Sequence, residues 1–141
     1  MTSNATISVV IPCFNSAKTI ERALRSVESQ TTKPHEVLVV DDASSDNTVS
    51  VIEQYERSSS LNIRVIKQSA NGGPSVARNA AWNVSTGEFV AFLDADDQWH
   101  PQKLETQLNA MLPNPKIVMS FHDHLFGSSE HFETLPLTPT T

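Results

Sequence analysis

The chain has 141 residues, the length of one domain, with 38% hydrophobic and 18% charged residues, an ordinary globular composition. Ten Lys and Arg against sixteen Asp and Glu leave a formal charge of −6, which argues against a broad basic face for nucleic acid. The single cysteine, Cys13, excludes an intrachain disulfide, and apolar runs as short as Val37–Val40 are too brief for a bilayer-spanning helix.

In chain order, Ile7–Ile11 is apolar and β-branched and predicts a buried strand that Pro12 ends. Ala17–Gln30 carries Ile20, Ala23, Leu24 and Val27 at helical spacing, with Ser16 or Asn15 as the cap. Glu36–Val40 predicts a second buried strand, ending in Asp41-Asp42. Asp46 caps a helix expected from Asn47 to about Arg57, which buries Val49, Ile52 and Tyr55. Ile63–Lys67 is a third strand. Asn71-Gly72-Gly73-Pro74 opens a helix with proline in its first turn and a small-residue face of Ala77, Ala80, Ala81 and Val84, with Gly87 at the place of a C-terminal cap. Glu88–Leu93 is a fourth strand, followed by Asp94-Ala95-Asp96-Asp97. Pro101 starts a helix with Leu104, Leu108 and Met111 on one face, and Ile117–Phe121 is a fifth strand. Residues 1–126 form the expected domain, and 127–141 read as a loosely ordered polar tail. Buried strands alternating with helices imply an α/β fold, mostly a parallel sheet with helices on both faces.

In such sheets ligands bind at the carboxyl ends of the strands, where strand order reverses. The segments just past those ends are Pro12–Asn15, Asp41-Asp42, Gln68–Gly73 and Asp94–Asp97. Two acidic clusters then converge, and a divalent cation such as Mg²⁺ or Mn²⁺ relieves their repulsion. Asp94-Ala95-Asp96 is a D-x-D pattern, which in isolation is also a common capped turn; its place after an apolar strand favours the metal–diphosphate reading. Asp41 and Asp42 could accept from a ribose or a base edge, or form an Asx-type turn. Gly72-Gly73 lets the backbone approach a ligand, and Arg78 either reaches a phosphate or pairs on the surface. His122 and His124 share one side of an extended segment, as a metal pair or as polar strand-end positions. Cys13 reads as a small packed residue with no base beside it.

Five segments, in order, are similar to the N-terminal part of family 2 glycosyltransferases: Ile7–Asn15, Ser26–Thr31, Val37–Thr48, Asn71-Gly-Gly with Ala77-Arg-Asn79, and Gly87–Asp97 followed by Trp99 and Pro101. The resemblance runs from about Ile7 to Met111. It implies a Rossmann-like GT-A fold, C-terminally truncated, and metal-dependent, inverting transfer of a sugar from a nucleotide-diphosphate sugar to an acceptor hydroxyl. By position, Pro12 and Phe14 would line the base pocket, Asp42 with Asp41 would bind the base, and Arg78 the nucleotide end of the donor. Asp94 would approach the ribose, and Asp96 would hold Mn²⁺ or Mg²⁺ on the diphosphate. The implied partners are a nucleotide-diphosphate sugar, foremost a UDP-sugar, and a saccharide or lipid-linked acceptor. The family's general base follows the metal site. Asp123, Glu130 and Glu133 are the acids after Glu105, none in that motif, so the base is expected beyond Thr141 and no catalytic residue is assigned. The N-terminus lacks a basic region followed by an apolar stretch, and a cytoplasmic setting, with room for peripheral membrane association, is expected. Two alternatives remain: a nucleotide-sugar-binding fragment without catalysis, and a receiver-like signalling domain, which Val37–Asp42 also resembles.

Overall fold

The computed structural model describes residues 4–120. Strand β1 is Ile7–Cys13, β2 Glu36–Asp41, β3 Ile63–Lys67 and β4 Phe89–Phe92. Helices α1 (Ile20–Glu28), α2 (Thr48–Glu56), α3 (Pro74–Trp82) and α4 (Lys103–Met111) alternate with them. The four strands form one sheet in the order β3-β2-β1-β4, every pair parallel.

β1 and β2 are central and buried on both faces, which their continuous apolar runs require. Their side chains divide with a period of two. Val9, Ile11, Val37 and Val39 pack with Ile20, Leu24 and Val27 of α1, Ile52 and Tyr55 of α2, and Leu104 and Leu108 of α4. Val10, Leu38 and Val40 face the other way, against Ala77 and Ala81 of α3. Helices therefore cover both faces as expected, three on one side and one on the other. The chain steps from β1 out to β3, then returns to place β4 on the opposite side of β1. The reversal of strand order falls between β1 and β4, and it opens a crevice at their carboxyl ends.

The structure corrects several boundaries. β1 runs through Pro12 to Cys13, because Pro12 pairs in register with Val40 without needing a donor of its own. Helix α1 begins at Ile20, after a turn in which the Ser16 carbonyl accepts the Thr19 and Ile20 N–H groups. Neither Ser16 nor Asn15, the two expected caps of α1, holds that position, which Thr19 occupies without a side-chain bond; the Asn15 Oδ1 serves another loop, accepting the Ser45 N–H at 2.8 Å and the Asp46 N–H at 3.2 Å. Asp46 does act at the start of α2, where its Oδ1 accepts the Thr48 N–H at 3.0 Å. Gly87 is not the cap of α3, which ends at Trp82. It is pressed against β1, where an added Cβ would stand 2.5 Å from the Ser8 nitrogen. The fifth strand is absent over 117–120: no strand lies beside it, and Val118 is 88% exposed. Phe121, His122, His124 and the 127–141 tail lie outside the described residues.

Candidate functional site

A cleft of about 600 Å³ opens at the carboxyl ends of β1 and β4. Its wall includes Pro12 and Phe14 after β1, Asp42 after β2, Arg78 on α3, and Asp94 and Asp96 after β4. Six of the seven residues singled out in the sequence thus share one cavity, although up to 84 positions separate them. The first turns of α1 and α3 open there too, through Thr19 and through Gly73-Pro74. Two helix N-termini supply a positive local field suited to an anion.

The seventh, Asp41, is not part of the wall. It is buried, and its Oδ2 accepts the Ser44 N–H at 3.2 Å while its Oδ1 lies 3.9 Å from the Cys13 sulfur. Asp41 ends β2 in register with Cys13, so its carboxylate is held against β1 and the following turn. Burial, then the Asp41 charge, push the Cys13 thiol up to about 12. A thiol so poised stays protonated at neutral pH, in keeping with a packing residue.

Asp42 is 3% exposed and accepts two backbone donors, the Gly72 and Gly73 N–H groups, each at 2.8 Å. This fixes the loop before α3 in the shape that brings Gly73, at φ 89°, to the cleft. Each oxygen retains an unused lone pair, so the carboxylate can still accept from a ligand. Phe14 is 49% exposed at the rim, with a ring free to stack. Arg78 Nη2 lies 2.6 Å from Asp94 Oδ1, an ion pair that joins α3 to the loop after β4 across the cleft.

The sequence reading passed over Arg22. In the first turn of α1, it donates from Nη2 to the Asp96 carbonyl at 2.5 Å. Its signal is invisible in sequence: 74 positions separate the partners, and an exposed arginine opposite the apolar face of a helix reads as ordinary solvation. The wall also includes Ser16, Asn71 and Ala77, to which the sequence reading gave structural places but no ligand role, and Thr19, which it did not single out.

The donors fit a hard divalent cation in one manner only. No group of three or more His, Cys, Asp or Glu side chains converges among the described residues, so these residues build no closed cage. Asp96 is exposed on the cleft wall, and among the described residues its carboxylate has no hydrogen-bond partner. An ion held by one or two carboxylates, with water and substrate phosphates completing its shell, suits this arrangement.

Residues 8–136 match the family model described as glycosyl transferase family 2. An Escherichia coli relative, the UDP-Glc:alpha-D-GlcNAc-diphosphoundecaprenol beta-1,3-glucosyltransferase WfgD, is 39% identical over 108 residues, covering 77% of this chain and 42% of that protein. S. aureus TarS 1-349 in complex with UDP-GlcNAc superimposes with a TM-score of 0.71 at 36% identity, over 78% of this chain and 32% of that one. The mannosyltransferase PcManGT from Pyrobaculum calidifontis, in complex with GDP-Man and Mn²⁺, does so with a TM-score of 0.68 at 33% identity, over 78% and 32% of the two chains. The chain spans less than half the length of these relatives. The parallel sheet is that of the GT-A glycosyltransferases, and the chain belongs to glycosyl transferase family 2.

Proposed function

We propose that this chain is the donor-binding part of an inverting glycosyltransferase. It takes a nucleotide-diphosphate sugar, with UDP as the nucleotide, and delivers the sugar to a hydroxyl of a saccharide or lipid-linked acceptor. The observation that carries the reading is the meeting of Phe14, Asp42, Arg78, Asp94 and Asp96 in one cleft at the switch point of a parallel sheet. The UDP-sugar and the lipid-linked acceptor are supported by the names of WfgD and the TarS complex, and the metal by the Mn²⁺ in PcManGT.

In this reading Phe14 stacks on the base above Pro12, and Asp42 accepts a base N–H while holding the Gly72-Gly73 loop. Asp94 releases Arg78 to accept from the ribose, and Arg78 turns to the nucleotide end of the donor. Asp96 would hold Mn²⁺ or Mg²⁺, which when bound neutralises charge building on the departing diphosphate. The helix N-termini at Thr19 and Gly73 favour the same anion. Inversion requires the acceptor oxygen to attack the anomeric carbon from the side opposite the diphosphate, with a base taking its proton. We assign that base to none of the described residues, and the setting to the cytoplasm, where nucleotide sugars are made. Among the described residues no helix is long and apolar enough to cross a membrane, and peripheral membrane association is part of the proposal.

Calorimetric titration of UDP, with and without Mn²⁺, tests the reading. The intact chain binds UDP with metal, and Asp96→Ala abolishes the metal-dependent part while leaving the fold intact. A folded chain that binds no UDP in the presence of Mn²⁺ overturns the donor-site assignment. Metal-dependent binding without sugar transfer marks this chain as a donor-binding portion alone.

A further inference from the structure

The main chain leaves the sheet at Leu93, whose N–H makes the last bond to β1, on the Val10 carbonyl at 3.0 Å. It is next held from outside at His100, whose carbonyl accepts from Gln30 Nε2 at 2.7 Å. Between those points lie Asp94, Asp96 and Asp97, three carboxylates in four residues. Within the loop the Asp97 N–H closes a turn on the Asp94 carbonyl at 3.0 Å. Ala95 and Trp99 are buried and anchor it from below. Among the described residues, one hydrogen bond reaches this main chain from outside the loop: Arg22 Nη2 to the Asp96 carbonyl.

We propose that Arg22 is a positioning residue for the metal-binding loop, fixing through the Asp96 carbonyl the direction in which the Asp96 carboxylate meets a divalent cation. The inference rests on the donor-site reading above. The carbonyl and the carboxylate belong to one residue, so pinning the first restricts the second. Arg78 holds the same loop from α3, but through the side chain of Asp94, and a nucleotide would break that pair. The Arg22 bond goes to main chain and survives ligand entry. Partners that orient a metal ligand change metal affinity by about ten- to a hundredfold when removed. Arg22 is exposed, so the lower figure applies.

The test is calorimetric titration of UDP, in Mn²⁺ and in EDTA, on the wild type and on Arg22→Ala, Arg22→Lys and Arg25→Ala. Arg25 is an exposed arginine on the same helix, paired with Glu21 at 2.5 Å. Arg22→Ala is expected to weaken Mn²⁺-supported binding about tenfold, while leaving the metal-free affinity and the melting midpoint at wild-type values. Arg22→Lys recovers part of the loss, and Arg25→Ala matches the wild type. The proposal is overturned if Arg22→Ala binds as the wild type does in Mn²⁺. It is equally overturned if metal-free binding falls by the same factor, or if Arg25→Ala loses as much as Arg22→Ala. A wild type with no metal-dependent binding overturns the donor-site reading and this inference together, and is told apart from the other outcomes by the wild-type titration alone.

Discussion

Asp42 and Asp41 are neighbours with different occupations. Asp42 Oδ1 and Oδ2 each accept one glycine N–H at 2.8 Å, while Asp41 closes the turn at Ser44. The acidic pair was legible in sequence as cleft chemistry after a strand. That only one of the two lines the cleft was not, because it depends on where the strand ends and which face each side chain takes. The same limit hid Arg22 and Asn15, whose partners lie 74 and about 30 positions away. Asp42→Ala leaves two loop N–H groups without their acceptor. A fully buried orphan donor costs about 1–3 kcal/mol. Gly72 is exposed and Gly73 half-buried, so water replaces part of each bond. The expected loss is about 2 kcal/mol in total, read as a lower urea midpoint at unchanged slope. A loss below about 0.5 kcal/mol shows that the carboxylate does not hold the loop.

At the scale of elements, the four strands and four helices were legible from their apolar periodicity, and their ends were less so. Periodicity reports the interior of an element, whereas its ends depend on partners. Ile117–Phe121 has the apolar, β-branched pattern of a strand, yet 117–120 has no ladder to join. Gly87 shows the converse: its place after a helix suggested a cap, but close approach of the segment before β4 to β1 explains it. An added Cβ there meets the Ser8 nitrogen at 2.5 Å, Ser8 Oγ at 2.8 Å and the Ile7 carbonyl carbon at 2.9 Å. The Gly87 N–H also donates to Ser8 Oγ at 2.8 Å, and that hydroxyl donates in turn to Glu36 at 2.7 Å. Two of the three obstacles are β1 backbone, which cannot yield without moving the central strand. Gly87→Ala therefore displaces β4 from β1, at a cost of about 2–3 kcal/mol. Urea unfolding checks it. A neutral result means that the segment before β4 moves aside without strain. Because Asp94 and Asp96 follow β4, a destabilised Gly87→Ala chain is also expected to bind UDP–Mn²⁺ more weakly.

At the scale of the whole molecule, two groups outside the cleft wall contribute to stability against pH, one toward each end of the range. Glu28, at the end of α1, accepts the Tyr55 hydroxyl of α2, the Ser60 N–H and the Ser59 hydroxyl, which hold its carboxyl down to about 2 from the ordinary 4.5. A depressed carboxyl contributes stability that is present above the unfolded value and lost as pH falls through the folded one. The α1–α2 contact thus weakens between about pH 4.5 and pH 2. Lys103 opens α4 with its Nζ 3.9 Å from the centre of the Trp99 ring, and among the described residues it has no acidic partner. Burial alone pulls its ammonium down to about 8 from 10.5. From pH 8 upward the unfolded chain holds the proton that the folded chain releases, so stability rises with pH across that window. Below pH 8 the full penalty stands, about 3 kcal/mol, against roughly 0.5–2 kcal/mol returned by the cation–π contact. Desolvation wins, so Lys103→Met is expected to stabilise the chain at pH 7 by about 1–2 kcal/mol and to flatten its rise between pH 8 and 10. Glu28→Gln, which keeps an acceptor for Tyr55, is expected to flatten the acid limb instead. Urea midpoints taken from pH 2.5 to 10 separate the two. The scan stops at pH 10 because burial and Glu28 push the Tyr55 phenol up, which adds a loss of stability above its ordinary value of 10.0. A Lys103→Met chain that is less stable at pH 7, with the alkaline rise intact, would mean that the ammonium is stabilised where it lies.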